Sequence, residues 1–278
     1  MIKKNVELLP PRKLSAWRKI SIGSWRPNGD SQVYAEICVS AEPAIKRISE
    51  LNINTESKIT MTHFIGKVMG QVLSEVPDLN AIIRFGNIYP RKNVDIFFHV
   101  VYEETELSGH VVRNVDKKSF SEISKELTET AITIKKGNDI NFKKIKNSWN
   151  YIPGILARYA LDFIGFVSYS LNLNVKALGV PKDCFGSMMI TNIGSLGFTQ
   201  AFVPLSPYSR IPLILALGKT EKRPVVKPDG TLGIEEQVSL CFTFDHRIMD
   251  GARGAKMAKL IKKYMENPDQ LGPTFFSS

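Results

Sequence analysis

Cysteine is scarce in this chain. Cys38, Cys184 and Cys241 are the only three among 278 residues. No two of them form a C-x-x-C pair, so neither a disulfide scaffold nor a thiolate metal site is expected, and the count suits a reducing compartment. Acidic residues are outnumbered, 27 Asp and Glu against 37 Lys and Arg, for a net charge of +10 and a pI near 9.4. The surplus is spread over many segments. No RNP motif, zinc finger or helix-turn-helix spacing accompanies it, so no nucleic-acid partner is expected and a solvated basic surface is, with a polyanion-binding role for part of it as the alternative. Long apolar runs are missing too. Residues 151–173 are rich in Leu, Ile, Phe and Tyr, but Arg158 and Asp162 interrupt them, and the uncharged run after Asp162 stops at Lys176. A membrane span needs ~20 such residues, so a buried or interface helix is expected and no transmembrane segment. Met1-Ile2-Lys3-Lys4-Asn5 leads into no apolar stretch, which excludes a secretory signal and places the protein in the cytoplasm. Repeats, low-complexity tracts and long linkers are also absent.

Regular periodicities fill the rest. Val33, Ala35, Ile37 and Val39 alternate with polar residues, as in a half-buried strand, and a helix over 42–51 follows. Phe64, Ile65, Val68, Met69, Val72, Leu73 and Val76 recur at helical spacing over 62–76, and Pro77 ends that helix. Strands are predicted at 81–85, 94–102 and near 107–113, with Gly86-Asn87 as a loop. Ser119-Phe120-Ser121-Glu122 is a capping box opening a helix to about Lys136, ahead of a basic loop over 138–150. A helix over 152–171 and strands at 186–192 and 212–218 come next. Pro228-Asp229-Gly230 turns between two further strands, the second alternating Val238, Leu240, Phe242 and Phe244. A last helix over 251–266 carries Met257, Leu260, Ile261 and Tyr264 on one face. Strands and helices mix without strict alternation. The fold class is therefore α/β in content (α+β), a mixed sheet packed with helices and not a doubly wound parallel one.

Chemistry concentrates at His246-Arg247-Ile248-Met249-Asp250-Gly251, where an apolar strand ends and an amphipathic helix begins. A histidine there can serve as a general base near neutral pH. Asp250 can cap the helix or orient a cation. The plain alternative is a surface histidine followed by an ordinary N-cap. His63 and His99 lie within helix and strand patterns and read as structural. Ser195, Ser206 and Ser209 have no G-x-S-x-G elbow around them, so a serine hydrolase is not supported.

The run Phe244-Asp245-His246-Arg247-Ile248-Met249-Asp250-Gly251-Ala252 resembles the D-H-R-x-x-D-G-A signature of dihydrolipoamide acyltransferases. These are core subunits of 2-oxoacid dehydrogenase complexes, akin in structure to chloramphenicol acetyltransferase. Other stretches match in order. Glu75-Val76-Pro77-Asp78-Leu79-Asn80 is similar to the family's K-V-P-x-x-N, Val94-Asp95-Ile96 to its V-D-I, and Val111-Val112-Arg113-Asn114-Val115-Asp116 to I-V-R-N-A-D. Ile190-Thr191-Asn192-Ile193-Gly194-Ser195-Leu196-Gly197 is similar to T-I-S-N-L-G-x-x-G, and Glu266-Asn267-Pro268 to the closing E-N-P. The resemblance implies a chloramphenicol acetyltransferase-like fold and one catalytic domain over 1–278. It implies acyl transfer between thioester and thiol, with coenzyme A as substrate and any lipoyl group supplied by another, lipoyl-bearing chain. It further implies that His246 is the base, that Asp250 supports it, and that Thr191 holds the oxyanion where the family has serine. His110, Asn192 and Gly194 become candidates for the substrate channel.

The resemblance also carries departures. Matching begins by about residue 18, behind a basic N-terminal arm over 1–30, which leaves no room for the lipoyl and subunit-binding domains that usually precede the core. The family's G-L-I-T-P-I-V-R is replaced by Glu106-Leu107-Ser108-Gly109-His110-Val111-Val112-Arg113, which alters the expected acyl-side channel. Residues 138–185 form a family-atypical insertion holding the apolar helix. Family members are trimers with sites between subunits, so a homotrimer is expected. A cubic or dodecahedral assembly of trimers stays open, because Leu271-Gly272-Pro273-Thr274-Phe275-Phe276 departs from the family's Leu-rich end. Two other readings remain: a non-catalytic trimeric scaffold derived from the enzyme, and a small-molecule O-acetyltransferase using the same histidine.

Overall fold

The structure, a computed structural model, describes residues 31–53, 55–102, 106–135, 152–174, 181–227 and 229–271. The N-terminal arm, the basic 138–150 stretch, Pro228 and the tail after Leu271 lie outside the described residues.

One mixed sheet organises the chain. Its strands are β1 (Gln32–Ser40), β4 (Ile96–Tyr102), β5 (Glu106–Val112), β6 (Met188–Asn192), β7 (Leu213–Leu217), β8 (Glu221–Val226) and β9 (Leu232–Asp245). The order is β1-β9-β7-β6-β4-β5, with β8 pairing the early part of β9. β7 pairs β6 and β6 pairs β4 in parallel, while β1, β7 and β8 meet β9 antiparallel, as β5 meets β4. The central position of β7 explains its sequence. All five residues of Leu-Ile-Leu-Ala-Leu are buried, as a strand covered on both faces requires. β9 begins as an exposed ribbon with β8 and becomes fully buried from Val238 to Asp245.

Helices cover one face of this sheet: α1 (Glu42–Ile53), α2 (Met61–Glu75), α3 (Phe120–Lys135) and α5 (Gly251–Glu266). The main core forms there. Phe64, Ile65, Val68, Met69, Val72 and Leu73 of α2 meet Ile96, Phe98, Met188, Ile190, Leu215, Leu240 and Phe242 of the sheet. Gly66 is needed in α2 because a Cβ there would come within 2.5 Å of the Phe98 ring. α2 starts with a capping box in which the Thr60 amide donates to His63 Nδ1 at 3.1 Å. α3 starts with the Ser119–Glu122 box expected from sequence, the Ser119 amide donating to the Glu122 carboxylate at 2.8 Å. Among the described residues, the opposite face of the sheet carries smaller clusters. Met189, Leu205, Ile211 and Ile214 pack there with Phe97 and Phe185, and Ile193, Ala216 and Cys241 form another.

Two segments depart from expectation. Residues 81–90 form a separate hairpin, β2 (Ala81–Arg84) and β3 (Asn87–Pro90), turning at Phe85-Gly86 with φ of 47° and 78°. Positive φ at both central positions gives the twist a two-residue hairpin needs. The apolar helix is shorter than 152–171. α4 (Gly154–Gly165) gives way to a single π turn over Phe166–Ser170, closed by the Leu171 amide donating to Phe166 O. Ala157 and Leu161 are buried against Tyr208, and Gly165 allows the Tyr208 backbone to approach. Ile155, Tyr159 and Phe163 are exposed, so this chain covers one stripe of the helix and not its whole apolar surface.

Candidate active site

His246 stands one residue beyond β9. Its amide donates to Ser31 O at 2.8 Å, which continues the β1–β9 ladder and fixes the backbone. The ring is fixed by a second contact: Nδ1 lies 2.9 Å from Met249 O. A carbonyl only accepts, so the ring hydrogen sits on Nδ1 and Nε2 presents its lone pair. Asp245, immediately before it, is buried. Arg247 grips its carboxylate with Nε at 2.9 Å and Nη2 at 2.6 Å, and Ser31 Oγ donates at 2.8 Å. Burial works to raise this carboxyl, but the bonds from Arg247 and Ser31 outweigh it and hold the group below its ordinary range.

Asp250 caps α5. Its Oδ1 accepts from the Arg253 amide at 2.9 Å, and its Oδ2 from Arg253 Nη1 at 2.6 Å. Arg253 Nε also reaches Asp78 at 3.3 Å, tying the start of α5 to the turn after α2. These bonds, led by the one from the Arg253 amide, lower the Asp250 pKa. Asp250 is linked to His246 through the chain. It pins the turn whose preceding carbonyl, Met249 O, receives the ring hydrogen.

Thr191 is half-buried near the carboxyl end of β6. It faces Ala216 on β7, which in turn faces Cys241 on β9. His246 lies five residues beyond Cys241. At about 3.3 Å per residue that is about 17 Å along the strands, with two strand spacings of about 4.8 Å across them. The two candidate groups thus occupy opposite ends of the sheet, because β9 runs antiparallel to β7 and β6. One chain cannot bring both to a single reacting group.

The remaining candidates are already engaged. Asn192 Nδ2 donates to Thr62 Oγ1 at 2.9 Å, and its Oδ1 accepts from the Ser195 amide at 3.0 Å. Gly194 permits a close backbone crossing, since a Cβ there would sit 2.7 Å from Lys219 Cα. Both residues shape the turn after β6. His110 on β5 pairs across the sheet with Phe98, on the helix-covered face, and its Nε2 meets Glu126 of α3 at 2.8 Å. Lys118 joins the same carboxylate. The structure does not bring His110 to Thr191, whose side chain alternates to the other face. His99 does share that face. It is half-buried on β4, and burial pushes its pKa down to about 4. Alternation along 94–102 was the signal that could have separated His99 from the core face. Among the described residues no group of three His, Cys, Asp or Glu side chains could hold a metal ion, and no helix is long and apolar enough to cross a membrane.

A sheet of this order, covered by helices on one face and ending β9 in a histidine poised at a helix start, is the architecture of a family of acyltransferases. The family model for the 2-oxoacid dehydrogenases acyltransferase (catalytic domain) matches residues 31–153 and 181–272. The chain belongs to this family. Residues 154–180, with α4 and the π turn, separate the two matched segments. The chain is 29% identical over 229 residues to the dihydrolipoyllysine-residue acetyltransferase component of the mitochondrial pyruvate dehydrogenase complex of Dictyostelium discoideum, covering 82% of this chain and 29% of that protein. It is 24% identical over 212 residues to the lipoamide acyltransferase component of the branched-chain alpha-keto acid dehydrogenase complex of Bacillus subtilis, covering 76% and 40%. The chain thus spans less than half the length of these curated relatives. Among solved structures, Azotobacter vinelandii dihydrolipoamide acetyltransferase superposes with a TM-score of 0.67 at 18% identity, over 96% of this chain and 94% of that one. Chloramphenicol acetyltransferase does so at 0.50 and 12% identity, over 91% and 96%. The expected mixed-sheet acyltransferase fold is therefore the observed one.

Proposed function

We propose that this chain moves an acyl group between coenzyme A and a dihydrolipoamide-type thiol, in a homotrimer that pairs His246 of one subunit with Thr191 of the next. The observation that carries the reading is the bond between His246 Nδ1 and Met249 O. It leaves Nε2 as the base for a thiol of pKa ~8.5. His246 takes the thiol proton, and the sulfur attacks the thioester carbon. The carbonyl oxygen gains charge, which the Thr191 hydroxyl stabilises. Return of the electron pair expels the second thiolate, and His246 hands its proton to it. The separation of the two groups within one chain supports a site formed between copies. Coenzyme A is substrate here, and a lipoyl group would arrive on another chain. Unpaired Cys38, Cys184 and Cys241 fit a reducing cytoplasm.

The test is thiol release from a series of acyl-CoAs with dihydrolipoamide as acceptor, beside a thermal-shift titration with coenzyme A, since ligand binding to the folded form raises its melting point. Turnover that vanishes in His246→Ala supports the reading. Wild type as inactive as His246→Ala with every donor, and no coenzyme A binding at millimolar concentration, would leave a scaffold.

A further inference from the structure

Parallel strands β4 and β6 share three paired positions, Ile96 with Met188, Phe97 with Met189 and Phe98 with Ile190, and then part. Both run on, β4 to Tyr102 and β6 to Asn192, each held by its outer neighbour, β5 or β7. The chain leaves β4 for β5 on one side and leaves β6 for β7 on the other. Where parallel strands diverge this way, the crevice beyond their carboxyl ends is the usual ligand position. The first residue on each lip is polar: His99 on β4 and Thr191 on β6. Both alternate to the face on which Phe97 and Met189 pack.

His99 is held as a ring with one free donor. Phe97 meets it edge-on, with centroids 4.9 Å apart. Phe97 is itself kept in place by Gly109, where a Cβ would come within 2.2 Å of its ring. Nδ1 of His99 is sealed from solvent without a partner, while the residue as a whole is only half-buried. A buried N–H lacking an acceptor is rarer in folded proteins than an acceptor lacking a donor. With Nδ1 sealed and unpartnered, the tautomer that avoids an orphaned buried N–H is the one with its hydrogen on Nε2. Burial keeps this imidazole neutral at ordinary pH.

We propose that His99 is a catalytic hydrogen-bond donor, its Nε2–H and the Thr191 hydroxyl together holding the thioester oxygen as it gains charge. The proposal rests on the acyl-transfer reading above and deepens it. The proton balance is unchanged. The new S–C bond forms as the carbonyl π pair moves onto oxygen, and return of that pair breaks the old C–S bond. His99 neither gains nor loses a proton.

The experiment compares wild type, His99→Leu, His99→Asn and Thr191→Val in the thiol-release assay, with melting curves and oligomeric state measured alongside. His99→Leu should keep the wild-type KM for acyl-CoA and lose about 10²–10³ in kcat, as removal of one oxyanion donor does. His99→Asn, which keeps an N–H, should recover at least about tenfold of that loss. The double variant with Thr191→Val should fall short of the product of the single losses, since the two donors serve one oxygen. An active wild type with His99→Leu equally active overturns the role of His99 and leaves the acyl-transfer reading standing. Folded Leu and Asn variants that are equally slow overturn it as well. A wild type silent with every thioester overturns the acyl-transfer reading itself, and this inference with it. Should His99→Leu fail to fold, His99→Ala takes its place as the variant without a donor, and its comparison with His99→Asn decides in the same way: Ala slow and Asn at least about tenfold faster supports the donor, and the two alike rejects it.

Discussion

Met249 O accepts the Nδ1 hydrogen of His246 at 2.9 Å, and Met249 is held by the turn that Asp250 closes with Arg253. For the proposed chemistry this contact separates the two nitrogens into an anchor and a base. His246→Ala should lower turnover by about 10²–10⁴, the usual contribution of a positioned base, while the oligomer stays intact. Thiol release and light scattering on the same sample check both halves of the statement.

Asp250→Ala should act differently. It leaves the base in place and frees the turn, so kcat should fall together with the melting temperature. Arg253→Ala, which removes one of the two bonds from Arg253 to Asp250, should show the same pattern more weakly. Loss of turnover in Asp250→Ala with no change in melting would mean that the carboxylate touches the reactants directly.

Thr191 and His246 at opposite ends of one sheet predict complementation. Chains carrying Thr191→Ala and chains carrying His246→Ala should each be slow alone. Refolded or co-expressed together, they should regain part of the wild-type rate, because some mixed interfaces join an intact histidine to an intact hydroxyl. Thr191→Ser should stay active. Mixtures no faster than their parents would argue against a shared site.

Acid should destabilise the fold through His63 and His99. Burial pushes both to about 4, below the ordinary value of about 6.5. Between these values the unfolded chain binds more protons than the folded one, so stability is complete above pH ~6.5 and declines as pH falls towards ~4. His63→Gln should flatten that part of a melting-temperature profile. An unchanged slope would show that His63 does not contribute.

Gly66→Ala should destabilise by about 1–3 kcal/mol, the usual cost of overpacking a dense core, since the new methyl meets the buried Phe98 ring. Chemical denaturation with a fixed m-value would measure it. Alkylation offers a separate check on the thiols. Exposed Cys38 should react first, while Cys184, pushed up to about 11 chiefly by burial, should stay unmodified until the chain unfolds.

Patterns that report burial are legible in the amino-acid sequence. The alternation of Val238, Leu240, Phe242 and Phe244 and the helical spacing of Phe64 to Leu73 mark faces that the main core fills. The Ser119–Glu122 box is legible because it is local chemistry. The β2–β3 hairpin is not, since Asn87–Pro90 is exposed throughout and Phe85-Gly86 lacks the Asn-Gly signature of its turn type. The end of α4 escapes for a similar reason: a π turn keeps the same apolar composition as the helix it follows. At the site, His246 and Asp250 stand out by their junction. Arg253 does not, because its two acidic partners lie 3 and 175 residues away. The setting of His99 depends on where two strands part, which no single segment encodes.

The distance between Thr191 and His246 within one chain has a kinetic meaning for the proposed enzyme. A newly made chain can be fully folded and still inert, because it holds each half of the machinery out of reach of the other. Below the concentration at which copies associate, activity should rise more steeply than in proportion to the amount of protein. Above it, the rise becomes linear. Dilution alone would then switch the enzyme off without unfolding a single residue.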